Sequence, residues 1–425
     1  MAAFAWAYAH WISAVWAYQG AIFIAPSIFS LCFAFLLAPL PSLFLSATLE
    51  RPSQIIYWLV YLTVFIPSLL APSFIQLSSP KDIMLLSLTL TAGMTILALT
   101  YRAPLIRLEV RKISPNIFWG SIALLWLTCH VILVITYHGH MRIAGLAEVY
   151  DVRLSARHIA AASPLASYAS ALAGDALNPL LMALGLGVRR KSLFGVGLLG
   201  QVLIYSTAAM KSVLISPLVV IGIYYLVKKY VSSGVIRLSY GLALTCMLLA
   251  AGSAKVIGGA VFSIATMLLF RTLAIPGMEM AEYFDFFHHF PKTYFSQVTG
   301  VSWFVTNPYT LSLGREVSAQ YLGNSVANAN ASFFAMDGIA SLGLPGIIII
   351  SLICALVLFA IDSCAADLKL EFVAAALAYT AISLANTSLF TTLLGNGLIL
   401  LMMAFAYMPK RISEAYSVSP LSAHP

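Results

Sequence analysis

Apolar runs, most of them about as long as a membrane-spanning helix, make up the greater part of this chain. A helix needs about 20 apolar residues to cross a bilayer. The pattern predicts an all-α, polytopic bundle of about 12 transmembrane helices that forms a single membrane domain over 1–425. The predicted spans are 4–24, 27–47, 54–75, 83–100, 117–137, 163–187, 192–209, 212–227, 237–254, 338–361, 371–389 and 394–409.

The composition supports a membrane protein. The chain is 61% hydrophobic and only 9% charged, whereas about a quarter of a soluble domain is charged. Residues 2–48 contain no Asp, Glu, Lys or Arg, and we divide them near Pro26 because they are too long for one crossing. The net charge of +8 comes mainly from short loops, so we predict a membrane-lipid partner and no nucleic-acid partner.

Clusters of Lys and Arg in short loops predict the orientation, because such loops lie on the cytoplasmic side. Two longer polar segments, 138–162 and 271–330, then lie outside. We predict that 256–270 does not cross, because it has 15 residues and contains Gly258 and Gly259. If it crosses, 271–330 lies in the cytoplasm. The predicted cytoplasmic residues are Arg51, Arg102, Arg107, Arg111, Lys112, Arg189, Arg190, Lys191, Lys228, Lys229, Arg237, Lys369, Lys410 and Arg411.

The segment 271–330 is the strongest candidate for a site, because a long charged and aromatic loop exceeds what joining two helices requires. Glu279, His288 and His289 within it, and Asp337 after it, are candidates for a catalytic base. Ordinary helix capping by Asp337 and a polar loop surface for the histidines are the alternatives. No metal-binding spacing accompanies the adjacent histidines, and no nucleotide or hydrolase motif is present, so we predict no metal and no cofactor.

Four basic residues are candidates for binding an anion. Arg271 ends an apolar run just before Pro276-Gly277, which predicts a turn. Lys211 stands nearly alone between two apolar runs, and Arg153 and Arg157 are four residues apart. The alternatives are an interfacial anchor for Arg271, a lysine that extends to the interface, and salt bridges within the loop.

The residues of four runs resemble the Wzy-type oligosaccharide repeat-unit polymerases, including the O-antigen polymerases of lipopolysaccharide biosynthesis. These runs are Tyr150-Asp-Val-Arg153, Ala209-Met-Lys-Ser212, Arg271-Thr-Leu-Ala-Ile-Pro276 and Asn328 through Gly346. The resemblance extends over most of 117–410 in order and spacing, and it is diffuse because the family shares few strict motifs.

The resemblance implies a GT-C-like glycosyltransferase in the bacterial inner membrane with its active site facing the periplasm. Such an enzyme transfers a growing chain from undecaprenyl diphosphate to a new lipid-linked unit, with a Wzz-type length regulator and a Wzx-type flippase as partners. Arg153, Lys211 and Arg271 are our candidates for binding the diphosphate, since fixed positive charge stabilises such a leaving group. The predicted sugar-binding residues are Arg157, Tyr283, Arg315, Asn328 and Asn330.

Two other functions compete with polymerisation. O-antigen ligases carry a histidine about eleven residues before a G-x-x-G, but that spacing from Gly343 reaches Ser332, which Phe333 follows. The missing histidine favours a polymerase over a ligase. A flippase or transporter of the same lipids is the main alternative, and it predicts charge near the bilayer midplane, often in two matched halves.

Overall fold

The computed structural model describes residues 1–108, 110–143, 159, 163–253 and 259–409, with only the backbone of Ala208, Lys211 and Ser212. All regular structure in these ranges is helical. We number the main helices α1 to α15 in chain order. They are α1 Ala2–Ala7, α2 Ile28–Phe44, α3 Gln54–Ile75, α4 Pro80–Arg102, α5 Pro115–Thr136, α6 Pro164–Gly187, α7 Lys191–Ala208, α8 Lys211–Lys229, α9 Gly234–Ser253, α10 Gly259–His289, α11 Leu313–Leu322, α12 Leu344–Cys364, α13 Leu370–Asn386, α14 Leu389–Leu394 and α15 Leu398–Tyr407.

Seven of these helices, α3 to α6, α9, α10 and α12, are long and apolar enough to cross a membrane. Three further apolar helices, α2, α13 and α15, are shorter than a full span. The chain is therefore a multi-pass helical membrane protein, which confirms the predicted fold class at that level. The number of twelve spans stays a prediction.

Several long helices begin at a Ser-Pro pair. Ser79, Ser114 and Ser163 each precede a proline that occupies the first turn of α4, α5 or α6. Each serine hydroxyl accepts a hydrogen bond from the amide three residues later. The proline loses nothing there because its missing N–H would be unpaired in the first turn anyway.

The helices α3 and α13 form the centre of the bundle. In α13 every residue from Phe372 to Ala381 is buried, and α3 is buried over most of its length. The run Ala374-Ala-Ala376 and Ala378 give α13 a thin profile, which lets α3, α6 and α8 pack closely around it. The end of α13 is thereby held at a fixed position beside the residues discussed below.

Among the residues that the structure describes, five helical stretches have π-helical hydrogen bonding, a feature that often occurs at functional sites. They interrupt or precede the α-helices near the start of the chain and in or beside α3, α6, α10 and α12. Their bounds are Tyr8–Ile12, Tyr61–Phe65, Ala173–Leu177, Thr266–Ala274 and Phe334–Ile339.

The helix α10 corrects two predictions. We expected a short interfacial helix over 256–270 and a turn at Pro276-Gly277, but Gly259–His289 is one helix of 31 residues. Pro276 follows the π-helical stretch and lies in the first turn of the α-helical part, where its missing N–H is tolerated. Gly277 packs against α3, where an added Cβ would lie 2.6 Å from the carbonyl oxygen of Pro67. Its role is close helix packing rather than a turn.

The predicted segment 271–330 is accordingly only partly a loop. Its first part belongs to α10, and α11 occupies Leu313–Leu322. Residues 290–312 and 323–330 contain the non-helical remainder, apart from the short 3₁₀ turn Val301–Trp303. Of the other predicted loop, only 138–143 and residue 159 are described.

Candidate functional site

A group of buried acidic side chains lies where α10 meets the π-helical turn Phe334–Ile339. Glu279 and Glu282 project from α10, and Asp337 comes from the turn. None of the three is more than 9% exposed. All three interact electrostatically with Tyr283, which shares a helix face with Glu279 four residues before it. We call Glu279, Glu282 and Asp337 the carboxyl cluster.

Asp337 is the member of the cluster that is held most firmly. Its Oδ2 accepts a 2.6 Å hydrogen bond from the amide of Leu389, the first residue of α14. Burial raises the pKa of Asp337 to about 7, against the opposing effect of hydrogen bonds from Ser388 and Leu389. A carboxyl that is half ionised near neutral pH is suited to accept or donate a proton.

The oxygens that remain unpaired in the cluster mark where a ligand would bind. Oδ1 of Asp337 and Oε2 of Glu279 are buried and have no hydrogen-bond partner among the described residues. Most buried polar atoms in proteins do have a partner. Two unpaired acceptors in one cluster therefore favour a hydroxyl-bearing ligand or a proton at this position.

Glycines position the Asp337 turn. A Cβ at Gly346 would overlap the carbonyl oxygen of Gly338, so the turn and the start of α12 are in backbone contact. Gly343 joins them with φ of +68°, a conformation that favours glycine. These glycines therefore allow a close backbone approach between the turn and α12. The approach fixes the direction in which Asp337 faces α14.

Tyr283 links the cluster to two predicted sugar-binding residues. Its hydroxyl donates a 3.1 Å hydrogen bond to the carbonyl oxygen of Ala329. Asn328 and Asn330 flank this alanine, are exposed, and are hydrogen-bonded to each other through their side chains. The amide of Ala329 in turn donates to the carbonyl oxygen of Gly314 at 2.9 Å. The structure thus brings Tyr283, Asn328 and Asn330 together, but the Tyr283 ring is fully buried.

The two described arginines of the predicted site differ in their surroundings. Arg271 is exposed on the π-helical stretch of α10, and its charge acts on Glu279. Within the described part of the chain Arg271 has no ion pair or hydrogen bond. Arg315 instead donates from Nε to the carbonyl oxygen of Ser325 at 2.7 Å, which ties the first turn of α11 to the loop after the helix. Arg271 is therefore the arginine that is free to bind an anion.

His288 and His289 lie apart from the carboxyl cluster, at the exposed end of α10. Nδ1 of His289 lies 2.9 Å from the carbonyl oxygen of Asp285 and 3.8 Å from its carboxylate. The Asp285 carboxylate also accepts a 2.5 Å hydrogen bond from Tyr321. This arrangement joins α10 to α11, so the geometry gives these histidines less access to the cluster than Asp337 has.

Three predicted basic residues have no described side chain. Arg153 and Arg157 lie outside the described residues. Lys211 begins α8, and only Ala209 and Met210 separate it from α7. Ala209 has φ of +48°, which makes the connection as short as the sequence predicted.

A backbone segment, residues 293–297, covers the Asp337 turn and the two residues that follow it. The amides of Thr293 and Tyr294 donate to the carbonyl oxygens of Ala340 and Ser341 at 2.8 and 3.1 Å. Nε2 of Gln297 donates to the carbonyl oxygen of Met336 at 3.2 Å. These bonds hold 293–297 over the turn, which explains why Asp337 has no exposed surface.

Sequence analysis missed two acidic residues, Glu282 and Asp175. Glu282 completes the carboxyl cluster, and its Oε1 would lie 3.5 Å from a Cβ at Gly20. Asp175 lies in the π-helical stretch at the middle of the 24-residue helix α6. Its carboxylate accepts a 3.1 Å hydrogen bond from Ser383 on α13. A lone charge inside an apolar run is the signal that identifies such residues.

Comparisons with known proteins give no relative for this chain. No protein-family model, no curated protein and no solved structure matches it. Its function is therefore argued from the geometry of the site together with the resemblance noted in four short runs.

Proposed function

We propose that this protein is a membrane glycosyltransferase that polymerises undecaprenyl-diphosphate-linked oligosaccharide repeat units. The observation that carries the proposal is Asp337, a buried carboxyl with a pKa of about 7 and one unpaired oxygen, in the cluster that it forms with Glu279 around Tyr283. The position of Arg271, exposed and electrostatically close to Glu279, supplies the positive charge that the reaction needs.

In the proposed reaction a hydroxyl of the incoming unit attacks the anomeric carbon of the growing chain. The bond from that carbon to the diphosphate oxygen breaks, and the diphosphate leaves with the bonding electrons. Asp337 takes the proton of the attacking hydroxyl. Arg271 stabilises the negative charge that develops on the leaving group, because a guanidinium matches phosphate oxygens in geometry. Glu279 is the alternative base.

The remaining predicted residues complete this proposal. Arg153 and Lys211 would join Arg271 at the diphosphate, while Arg157, Arg315, Asn328 and Asn330 would contact sugars. Tyr283 would act by holding Ala329, since its hydroxyl already donates there. We retain His288 and His289 only as alternative bases, because both are exposed at the end of α10.

The proposal includes a cellular setting. We place the protein in a bacterial inner membrane with about twelve crossings and a GT-C-like arrangement. We place the site on the periplasmic side because the resemblance implies it, although α10 is long enough to cross and the charge pattern of the loops alone would then put residues 290–330 in the cytoplasm. A Wzx-type flippase would supply its substrate, and a Wzz-type regulator would set product length.

The test is polymerisation by purified protein in detergent with lipid-linked repeat units extracted from host cells that lack this chain. We expect a ladder of products on a gel, and no ladder from Arg271→Ala or Asp337→Asn. Arg315→Ala is the matched arginine control, because its side chain is engaged with Ser325 and its loss should shorten the ladder without abolishing it. A normal ladder from Arg271→Ala would refute the assignment of the diphosphate site.

One observation favours a second function, transport of the same lipid-linked sugars. Asp175 lies at the middle of an apolar span. Transporters carry functional charged residues near this depth, and the sequence had not led us to expect one here. Protein that forms no ladder but moves the lipid across liposome membranes would be a transporter. The ligase alternative has less support, because Ser332, at the position of the ligase histidine, is fully buried.

A further inference from the structure

Asp175 borders a space that a small ligand can reach. From Ala173 to Gly185, Asp175 is the only residue that is not classed as buried. On α13, Ser383 donates a hydrogen bond to Asp175, and the neighbouring Ile382 and Asn386 also keep partial exposure where α13 is otherwise buried. Exposed surface on both sides of one hydrogen bond indicates accessible space beside the carboxylate.

The oxygens around this space have the character of a cation site. One oxygen of Asp175 accepts from Ser383, and the other has no hydrogen-bond partner among the described residues. Nδ2 of Asn386 donates to the carbonyl oxygen of Ile382 at 2.8 Å, so its amide oxygen remains available three residues from Ser383 on the same helix. Carboxylate, hydroxyl and amide oxygens are ligands that hard cations prefer.

No described positive charge neutralises Asp175. The helices that pack on its π-helical stretch are α5, α7, α13 and α15. Charged residues on them, such as Lys191 and Glu371, are ten or more residues from the contacting residues Gln201 and Ser383, about 15 Å or more along the helix. The ionisable side chains nearer to this depth are Cys129, His130, Tyr205 and Tyr379, none of which carries a permanent charge.

A second buried polar group, the side-chain amide of Gln201, packs on the π-helical stretch that contains Asp175. Gln201 donates from Nε2 to the carbonyl oxygen of Gly174 at 2.8 Å and to Ser216 at 2.7 Å. Its Oε1 has no partner within the described ranges, although Gln201 is only 1% exposed.

We propose that Asp175 and the oxygens of Ser383 and Asn386 bind a monovalent cation, either a proton or Na⁺, in the middle of the bundle. An isolated carboxylate at the centre of a membrane span is costly, and it is stable only with a compensating cation or a bound proton. The inference does not depend on glycosyltransferase activity, since it concerns the occupancy of this carboxylate in the resting protein.

The test is carbodiimide labelling of wild-type protein in lipid nanodiscs, followed by peptide mass spectrometry. A hydrophobic carbodiimide adds across a protonated carboxyl to give an O-acylisourea, which rearranges to a stable N-acylurea, so the product contains every atom of both reactants. We expect the peptide that contains Asp175 to be labelled at mildly acidic pH and unlabelled in alkaline buffer. Asp175→Asn should lack the label.

Two controls distinguish the outcomes. Asp82, at the first turn of α4, should react with a water-soluble carbodiimide, to which Asp175 should be inert. If Na⁺ is the ligand, added NaCl should lower the labelling rate by the factor 1 + [Na⁺]/Kd expected for one competing site, and equal choline chloride should not. If H⁺ is the ligand, only pH should matter. Failure of Asp175 to react at any pH, while Asp82 reacts normally, would overturn the proposal.

Discussion

Asp337 and Asp175 have similar local backbone structures and different surroundings. Each lies in a π-helical stretch, and each meets a serine near the end of α13, Ser388 for Asp337 and Ser383 for Asp175. Asp337 also accepts a backbone N–H from α14 and is fully buried, whereas Asp175 has only the serine and is partly exposed. A backbone donor fixes a carboxylate in one orientation. The single hydroxyl of Ser383 holds one oxygen of Asp175 and leaves the other oxygen for an exchangeable ligand.

The largest effect that separates the two aspartates should be on polymerisation. We expect Asp337→Asn to lower the rate by about 10²- to 10⁴-fold, the usual contribution of a general base. Asp175→Asn should change the rate by less than about tenfold, because its carboxyl is not part of the cluster that the reaction uses. Initial rates from the gel assay measure both variants.

The comparison of Asp337→Asn with Asp175→Asn also controls for effects of the substitutions on folding. Both variants replace a buried or half-buried carboxyl by an amide of the same size, so their elution profiles and thermal unfolding should be similar. Equal loss of polymer from the two variants would contradict the division of roles. Loss from Asp175→Asn alone would make the mid-span site the functional centre and favour the transporter.

The two aspartates also show what sequence alone can predict. Asp337 was a candidate base because it follows the polar segment 271–330 and directly precedes a helix-length apolar run. Such local features are visible in sequence. Asp175 was passed over because a single charge barely alters a 24-residue apolar run, and its partner Ser383 is more than 200 residues away.

The same distinction between local and distant information explains the error in α10. Pro276-Gly277 is a turn signal in isolation. In the folded chain the π-helical stretch accommodates the proline, and the glycine fits against Pro67 of α3. The tight connection before Lys211 was predicted correctly because only local residues determine it. The carboxyl cluster depends on packing between α10, the Asp337 turn and α14, which no short motif records.

The pH dependence of the reaction should follow Asp337. The pKa of this carboxyl in the folded protein is about 7, so the rate should rise about tenfold per pH unit in acid and level off above pH 7. Stability should change in the opposite direction. Because the folded pKa exceeds the unfolded value of about 3.9, stabilisation is complete in acid and is lost as the pH rises from about 4 to about 7.

Asp337→Asn provides the comparison for both measurements. Thermal unfolding of this variant should lack the part of the decline between mildly acidic and neutral pH that Asp337 contributes, and Asp175→Asn should keep that part. A wild-type rate that is constant between pH 5 and pH 8 would exclude Asp337 as the base.

A glycine on α11 should affect the surroundings of Asp337 and leave those of Asp175 unchanged. A Cβ at Gly314 would overlap Oδ1 of Asn328 and lie 2.6 Å from the carbonyl oxygen of Ala329. We expect Gly314→Ala to destabilise the protein by about 1–3 kcal/mol, as overpacking usually does, and to weaken the hold of Tyr283 on Ala329. Denaturation in detergent and the polymer ladder report these effects.

Gly120→Ala is the matched control for this substitution. Gly120 lies inside α5, and a Cβ there would meet nothing within 4 Å, so the change should stabilise the helix by up to about 1 kcal/mol. Carbodiimide labelling of Asp175 should be the same in both variants. If Gly314→Ala altered that labelling, the two sites would be coupled.

The smallest expected effects come from the two serines, and they sharpen the comparison furthest. Ser388 caps α14 through the amides of Phe390 and Thr391 and also bonds Asp337. Removing its hydroxyl should destabilise the protein by about 1 kcal/mol. Because a lost hydrogen bond to the charged form raises the pKa of Asp337, the midpoint of the rate profile should move up by about 0.4–1 pH unit.

Ser383→Ala should leave that midpoint in place and change only the labelling of Asp175. A shifted rate profile in Ser383→Ala would mean that the end of α13 transmits the state of one carboxyl to the other.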